Sequence, residues 1–249
     1  EYAKLLIDNG YAYVDFTSPD KIKEERKLGI CNEFRTKPIE WNQIEFEKMT
    51  QGAYVNSECV LRLKIDMANV NYTLRDPIAY RINQIPHHRT GSKWHIYPSY
   101  DYSHGIVDAL EKITISYCTD EFFIRRDQYY WPVNKLIELG VELVPAQVIE
   151  YGKLSIANNI LSKRNINKLV SDGLVSGHDD PRLLTIRGLR RRGFTPKVIK
   201  KIAGCSGFDR KESVLSTDLV DSFLREELAD ALRAFAVIDP LVVNIESIE

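Results

Sequence analysis

The feature that most constrains the fold is an alternation of short apolar strands and helices between residues 94 and 151. Residues 94–98 and 141–151 are typical of buried strands, and residues 103–112 and 127–139 have the apolar spacing of helices. Strands that alternate with helices in this way form parallel sheets, because each helix returns the chain to the edge where the previous strand began. This region is therefore predicted to be α/β.

The flanking regions have different patterns. Before residue 94, the pattern predicts a helix that ends near Gly10, a strand at residues 11–15, helices at 18–27 and 38–49, and strands at 61–66 and 78–82. After Arg164 the pattern is almost wholly helical. Three N-cap signals stand there, at Asp180-Pro181, Thr195-Pro196 and Ser216, so a C-terminal helical subdomain is predicted.

The length, hydropathy and charge of the chain limit the kinds of protein to which it can belong. A chain of 249 residues exceeds the usual size of one core, and no apolar run approaches the ~20 residues that span a bilayer. The net charge of −1 is uninformative, but residues 181–203 hold eight basic side chains and no acid. This block either binds phosphates or is the solvated, acid-paired face of a helix, and both interpretations stay open. The eight are Arg182, Arg187, Arg190, Arg191, Arg192, Lys197, Lys200 and Lys201.

Cysteine and histidine spacing argues against a metal or disulfide framework. The four cysteines are widely separated with no Cys-x-x-Cys pair, which is typical of reduced thiols in a cytosolic protein. His87, His88 and His95 have no cysteine or acid at metal-ligand spacing. No metal site is predicted.

Two short motifs carry candidate chemistry. Ser162-Lys163 follows a predicted strand and precedes a helix, where a lysine on a loop can stabilise charge on a departing pyrophosphate. Taken alone, so common a motif favours a plain surface loop. In the segment 178–182, Asp180 and Pro181 are predicted to begin a helix whose arginines contact phosphates or pair with acids.

Taken in order, a set of motifs resembles the glutaminyl-tRNA synthetases, class I enzymes on a Rossmann-type scaffold. No single motif is decisive, but the ordered set spans almost the whole chain. The matching segments are 60–67, 75–82, 87–91, 93–98, 100–111, 118–122, 161–164, 179–182, 188–193 and 237–240.

The resemblance implies roles for individual residues. Lys163 and Ser162 would act in catalysis on a loop like the family's KMSKS loop. The implied ATP-binding residues are Thr119, Lys153, Leu154, Leu161, Ser162 and Lys163; the implied glutamine-binding residues are Tyr100, His104, Cys118 and Gln147; and the implied tRNA-binding residues are Arg182, Arg190, Arg191, Arg192, Arg210, Lys211 and Ser213.

The resemblance also implies a domain plan. Residues 1–13 would end the first Rossmann half, 14–93 would be an inserted α+β domain that binds the acceptor end, and 94–164 would be the second half. Residues 165–240 would form a helical stem-contact subdomain, and 241–249 would begin the anticodon-binding region. The resemblance implies a cytoplasmic protein that uses ATP with Mg²⁺ as a substrate and has no tightly bound cofactor. The implied partners are tRNA(Gln), glutamine and other synthetases in a complex, with no membrane.

The choice of amino acid depends on the charge of the pocket. The related glutamyl-tRNA synthetases of the eukaryotic and archaeal type usually carry an arginine where Cys118 stands, and His104 fits the glutamine branch. A neutral lining around Tyr100, Cys118 and Gln147 is therefore expected, because it would favour a carboxamide over a carboxylate. Glutamyl-tRNA synthetase remains the first alternative.

Three departures from the family pattern bear on activity. His178 stands where the family usually has tryptophan, and Ile124 stands where some relatives present an acid to the acceptor stem. The His-Ile-Gly-His signature of class I synthetases does not occur in these residues. This piece by itself is therefore expected to be inactive, and a non-catalytic tRNA-binding module is the second alternative.

Overall fold

The computed structural model describes residues 1–245. The chain divides into an N-terminal unit, Glu1–Tyr151, and a C-terminal unit, Gly152–Glu249. Both units mix helices with strands, so the prediction of an α/β chain is confirmed. Residues 246–249, at the end of the segment predicted to begin an anticodon-binding region, lie outside the described residues. Among the described helices, none combines the length and the apolar character that a bilayer crossing requires.

The N-terminal unit contains five helices and six strands among the described residues. The helices are α1 (Tyr2–Asp8), α2 (Pro19–Leu28), α3 (Ile39–Thr50), α4 (Tyr100–Leu110) and α5 (Arg126–Glu138), with 3₁₀ turns at Glu33–Thr36, Tyr72–Leu74 and Asp120–Arg125. The strands are β1 (Ala12–Asp15), β2 (Val60–Leu63), β3 (Ile78–Ile82), β4 (Ile96–Pro98), β5 (Ile115–Thr119) and β6 (Gln147–Tyr151).

Four of these strands form one antiparallel sheet in the order β1-β2-β3-β4. The strands themselves were expected, but their assembly into one antiparallel sheet was not, because pairing partners are not encoded in local periodicity. Strand β1 is buried on both faces. Ala12 and Val14 join the main apolar core with residues of α1, α3, α4 and α5, while the alternating Tyr13 and Asp15 belong to a polar layer.

The polar layer is centred on two buried carboxylates. Asp15 accepts a hydrogen bond from the Arg62 guanidinium at 2.5 Å, and Asp76 accepts from Arg35 at 2.6 Å and from the Tyr13 hydroxyl at 3.2 Å. Burial, and then the Asp76 charge, raise the pKa of Tyr13 well above its usual value. Because each buried charge is paired and hydrogen-bonded, the layer avoids the large cost of an isolated interior ion.

The predicted parallel pairing is confirmed for β5 and β6, which are joined through α5. It is wrong for β4, the predicted strand at residues 94–98, which pairs antiparallel with β3. The register sets Cys118 opposite Glu150 and Ser116 opposite Val148. Helix α4 packs closely on α5 at Gly105, where an added Cβ would lie 2.5 Å from the Tyr129 carbonyl oxygen. This close approach brings the first turns of both helices beside the carboxyl end of β5.

Helices are the main regular elements of the described C-terminal unit, but most of its residues lie in turns and loops, so the prediction of an almost wholly helical region is confirmed only in part. One short parallel strand pair was not predicted. The strands are β7 (Leu154–Ile156) and β8 (Ser213–Leu215), and the helices are α6 (Lys163–Ser171), α7 (Ile186–Arg191), α8 (Pro196–Gly204) and α9 (Thr217–Glu227). Its buried side chains form two small clusters, one around Val198 and Val220 and one around Ile166.

Of the three predicted N-caps in this unit, two are confirmed and one is wrong. Thr195 and Ser216 cap α8 and α9 through their side-chain oxygens. Asp180 does not begin a helix; its carboxylate accepts from the backbone N–H groups of Ser176 and Arg182 and holds a turn, and α7 begins later, capped by Thr185. An aspartate that can bond its own neighbours favours a turn as readily as a cap.

Candidate functional site

A pocket in the N-terminal unit lies where α4 and α5 begin and β5 ends. The carboxyl end of parallel strands is the usual place for ligand sites in α/β folds, because loops and helix starts converge there. Three of the four predicted glutamine-binding residues line it. The lining consists of Tyr100, Asp101, His104, Cys118, Phe122, Arg125, Arg126, Tyr129 and Val148.

Helix α4 places Tyr100 and His104 together. Ser99 caps the helix by accepting from the Tyr102 N–H, so Tyr100 stands in the first turn and His104 one turn later on the same side. Their ring centroids lie 4.9 Å apart, and Tyr100 is 61% exposed. An exposed aromatic ring at the mouth of a pocket can contact a ligand without a large rearrangement.

Hydrogen bonds beneath the pocket fix the orientation of His104. Its Nε2 lies 3.2 Å from Asp108 Oδ2 and 3.3 Å from the Ser116 hydroxyl. The Tyr129 hydroxyl donates to the same Asp108 oxygen at 2.8 Å, and the Tyr129 ring packs edge-on against the imidazole. A carboxylate on one ring nitrogen favours the tautomer protonated there, which leaves Nδ1 as an acceptor.

The structure does not bring Gln147 into this lining. In a strand, successive side chains point to opposite faces, and the register puts Val148 and Glu150 on the face of Cys118. Gln147 therefore points to the other face and pairs with Ile115, three positions before Cys118. Val148 occupies the lining position instead, so the role of Gln147 stays a prediction.

The lining is not neutral, which corrects the expectation drawn from the sequence. Arg125 and Arg126 both contribute to it, and each is paired with a carboxylate through two hydrogen bonds. Arg125 donates to both oxygens of Asp101 at 2.9 and 2.8 Å. Arg126 donates through Nε to Glu150 at 2.8 Å and through Nη2 to the other oxygen. The two pairs balance in charge.

Beside these charged pairs, the pocket favours the neutral forms of Cys118 and Tyr100. Burial, followed by the charge of Glu150, raises the pKa of the Cys118 thiol. Burial and the charge of Asp108 likewise raise the pKa of Tyr100. Both groups therefore stay protonated at neutral pH and offer O–H and S–H groups rather than anions.

Sequence reasoning missed six lining residues, namely Asp101, Phe122, Arg125, Arg126, Tyr129 and Val148. A signal was present for four of them, because they follow the end of β5 within a few positions, where parallel strands place their ligand-binding loops. Val148 carries no such signal, since only the strand register reveals which face it occupies.

The predicted ATP-binding residues are divided between the units. Thr119 lies in the N-terminal unit, where its hydroxyl donates to Glu121 at 2.9 Å. Leu161, Ser162 and Lys163 lie in the C-terminal unit at the start of α6, all exposed, and the Ser162 side chain makes no capping bond. Lys163 is therefore the first residue of a helix, whose first N–H groups have no partner within the helix.

The remaining ATP-binding candidates adjoin part of the predicted tRNA-binding set. Strand β7 pairs Leu154 with Ser213 of β8, and the Ser213 N–H donates to the Lys153 carbonyl at 2.9 Å. Gly152 permits this approach, because a Cβ there would lie 1.7 Å from the Lys211 carbonyl oxygen. Arg210 lies beside them in the same connection before β8, and like Lys211 it is exposed.

The basic block of residues 181–203 is partly paired with acids, so both interpretations hold for different members. Arg182 binds Asp180, and hydrogen bonds from the Arg182 side chain and from the Ser176 backbone hold the pKa of that carboxyl well below its usual value. Four further pairs are Arg191–Asp179, Arg192–Asp221, Lys197–Glu227 and Lys201–Glu226.

Three members of the block have no ion pair within the described part of the chain, namely Arg187, Arg190 and Lys200. Arg187 and Arg190 are exposed and three residues apart on α7, so they project from the same side of the helix. Of the predicted tRNA-binding arginines on α7, Arg190 is thus the one with an unpaired charge.

Comparison with known proteins matches residues 1–230 to the family of class I tRNA synthetases (E and Q), catalytic domain. A glutamine–tRNA ligase of Clostridium perfringens is 45% identical over 98% of this chain, and one of Lupinus luteus is 43% identical over 100% of it. The chain covers 44% and 31% of those two proteins, so it spans less than half of their length.

A solved structure gives an independent comparison of the fold. The glutamate–tRNA ligase of Elizabethkingia meningosepticum, crystallised with its amino acid, aligns with a TM-score of 0.53 over 92% of this chain and 52% of its own. At 15% identity this likeness concerns the fold alone. The family match covers nearly all the described residues, and the chain therefore belongs to the glutamate and glutamine branch of the class I tRNA synthetases.

Proposed function

We propose that the protein containing this chain is a glutamine–tRNA ligase. The observation that carries the proposal is the pocket of the N-terminal unit, in which Tyr100, His104 and Cys118 meet beside charge-balanced arginine–carboxylate pairs. Relatives with the name glutamine–tRNA ligase, 41–45% identical to this chain over almost all of its length, support the choice of amino acid.

The proposed reaction begins with attack by the glutamine carboxylate on the α-phosphorus of ATP. The bond to the bridging oxygen breaks, pyrophosphate leaves and glutaminyl adenylate forms; a terminal ribose hydroxyl of the tRNA then displaces AMP and gives the ester. Protein groups in this scheme orient the reactants and stabilise charge. Mg²⁺ enters with ATP as part of the substrate.

Individual roles follow from position and chemistry. Lys163, at the exposed start of α6, is assigned to the charge on the leaving pyrophosphate, with Ser162 beside it. Lys153, Leu154, Leu161 and Thr119 are assigned to ATP. Tyr100, His104 and Cys118 are assigned to the glutamine side chain, and Val148 is a better candidate than Gln147 for direct contact.

The tRNA is assigned to the basic surface of the C-terminal unit. The candidates are Arg182, Arg190, Arg191, Arg192, Arg210, Lys211 and Ser213, to which unpaired Arg187 is added. Surface pairs such as Arg191–Asp179 hold their arginines only weakly, so a phosphate can replace the carboxylate. The domain plan given above, a cytoplasmic location and association with other synthetases complete the proposal.

The direct test is aminoacylation by the full-length protein with tRNA(Gln). We expect glutamine to be esterified to the tRNA with a larger kcat/KM than glutamate. Faster charging of glutamate would overturn the choice of amino acid. Tight tRNA binding with no ATP–pyrophosphate exchange for either amino acid would instead favour a non-catalytic module.

The second candidate is a glutamate–tRNA ligase, favoured by the two guanidinium groups in the pocket lining. An unpaired arginine would bind the substrate carboxylate in a two-point contact. Both arginines already have a carboxylate partner, Arg126 through two nitrogens and Arg125 through Nη1 alone, so this candidate requires one of the pairs to open. The aminoacylation comparison separates it from the first proposal.

A further inference from the structure

We propose that Glu150 is a positioning residue for amino-acid selection, which acts by occupying the guanidinium of Arg126. With Glu150 in place, the charge of Arg126 cannot bind a carboxylate ligand, and the pocket favours an uncharged carboxamide. The inference rests on the proposed function, because it concerns the same pocket and the same two amino acids.

The geometry of the pair supports this role. Arg126 donates through Nε to one oxygen of Glu150 at 2.8 Å and through Nη2 to the other, which is the fork-on-fork contact that a ligand carboxylate would also seek. The Glu150 side chain is only 1% exposed, whereas that of Arg126 is 40% exposed. The Glu150 carboxylate is therefore held in the interior of the unit, whereas the Arg126 guanidinium extends from this carboxylate to the pocket lining.

The position of the pair within the sheet connects it to the side-chain site. Glu150 is the register partner of Cys118, and their side chains lie on the same face of the two strands. Arg126 lines the pocket together with Cys118 and also packs over the Phe123 ring at 5.1 Å. A positive charge therefore exists beside the thiol, supplied by α5 rather than by position 118 itself.

Electrostatics makes the pairing decisive for selection. A neutral thiol at position 118 does not exclude glutamate if a free arginine stands beside it, because the guanidinium attracts the carboxylate. Glu150 cancels that attraction and repels a second carboxylate brought to the same donors. Selection by an element that repels the competitor is a general route to specificity.

The Arg125–Asp101 pair is a natural comparison. In this pair Arg125 reaches both oxygens of Asp101 through Nη1 alone, and the Asp101 side chain is more exposed than that of Glu150, at 25%, so solvent and counterions screen the pair more strongly. Removing the Asp101 charge should therefore change amino-acid selection less than removing the Glu150 charge.

The test measures kcat/KM for glutamine and for glutamate with the full-length protein, tRNA(Gln) and ATP. In Glu150→Gln we expect the glutamine preference to fall by about tenfold or more, through faster glutamate charging. In the double variant Arg126→Gln/Glu150→Gln the preference should return toward the wild-type value. Asp101→Asn is the matched control, with a smaller change.

Three outcomes would overturn the inference: an unchanged preference in Glu150→Gln, an equal decrease with both amino acids, or no recovery in the double variant. If Glu150→Gln does not fold, Arg126→Gln provides the decision, because it removes the guanidinium while the Glu150 carboxylate stays beside Cys118, and it should keep or increase the glutamine preference. A lower preference there would contradict the inference. Failure of the proposed function would appear differently, as a wild-type protein that does not charge glutamine.

Discussion

The N-terminal unit holds two arginine–carboxylate pairs, Arg62–Asp15 and Arg35–Asp76, in its interior, whereas the C-terminal unit carries most of its pairs on the surface. The side chains of Arg62 and Asp15 are 5% and 0% exposed, while those of Arg191 and Asp179 are 52% and 54% exposed. Interior pairs are costly to break, because the remaining charge is left without water or partner. Surface pairs contribute little and exchange readily.

The same contrast appears in the apolar interior. Seventeen buried side chains form one cluster in the N-terminal unit, while the described part of the C-terminal unit has clusters of six and three. The N-terminal unit therefore has a large apolar core that can fix the geometry of a pocket. The C-terminal unit presents its charged side chains on a fold with few buried residues. Surface arginines are useful for binding a polyanion because their existing partners are weak.

The largest expected effect comes from removing a buried charge. Asp15→Ala leaves Arg62 unpaired inside the sheet, and we expect the free energy of unfolding of the N-terminal unit to fall by about 3–5 kcal/mol. Asp179→Ala is the matched variant of a surface pair and should cost less than about 1 kcal/mol. Urea denaturation measures both, and equal decreases would break the comparison.

A glycine substitution in each unit gives the second test. In Gly105→Ala the new methyl group meets the Tyr129 carbonyl oxygen, so α4 and α5 must separate; the expected cost is about 1–3 kcal/mol, with weaker glutamine binding. Gly204, the last residue of α8, has open space around it, and Gly204→Ala should be neutral or stabilise by up to about 1 kcal/mol. Thermal unfolding measures the Tm of both variants. Similar changes of Tm in the two variants would contradict the packing argument.

The third test concerns the unpaired charges of α7. In Arg187→Gln/Arg190→Gln we expect weaker tRNA binding, and the slope of log K against log salt should fall by about 0.7–0.9 for each phosphate that the variant no longer neutralises. Stability should change by less than about 0.5 kcal/mol, because both side chains are exposed. Titrations at several salt concentrations measure the slope. An unchanged slope would assign these arginines to a solvated face that does not touch the tRNA.

The smallest expected effect is a difference in thiol reactivity. Burial and Glu150 raise the pKa of Cys118, so its thiolate fraction at about pH 8 is below that of an ordinary cysteine and it should be alkylated several-fold more slowly than exposed Cys205. Because the pKa is raised, the pH–rate curve for Cys118 should lie at higher pH. Mass spectrometry of peptides after iodoacetamide treatment gives both rates, and faster labelling of Cys118 would contradict the expectation.

Much of the secondary structure could be predicted from the sequence, because it depends on local spacing. Strand β3 at Ile78–Ile82, helix α2 after Ser18 and the caps Thr195 and Ser216 all follow from short patterns. The predicted helix start at Asp180 was wrong, because an aspartate before proline can stabilise a turn as well as a helix start. Only its contacts with Ser176 and Arg182 decide between the two.

The candidate site was predictable only in part, for a related reason. Tyr100 and His104 are one helical turn apart and could be grouped from sequence, and Cys118 ends the next strand. Whether Gln147 or Val148 lines the pocket depends on which face of β6 each residue occupies. A shift of the strand register by one position would place the other residue in the lining. The charge of the lining depends on pairs that are 24 residues apart in the chain, Arg125–Asp101 and Arg126–Glu150.

The Arg62–Asp15 pair has a consequence for how the chain is made. The partners are 47 residues apart, so Asp15 leaves the ribosome well before the strand that neutralises it has been synthesised. At about 5–20 residues per second, that interval lasts several seconds, during which β1 exposes its apolar side and an unmatched sheet edge. The nascent polypeptide is then most exposed to wrong pairing, and chaperones that cover β1 until β2 emerges should improve the yield of correctly folded protein.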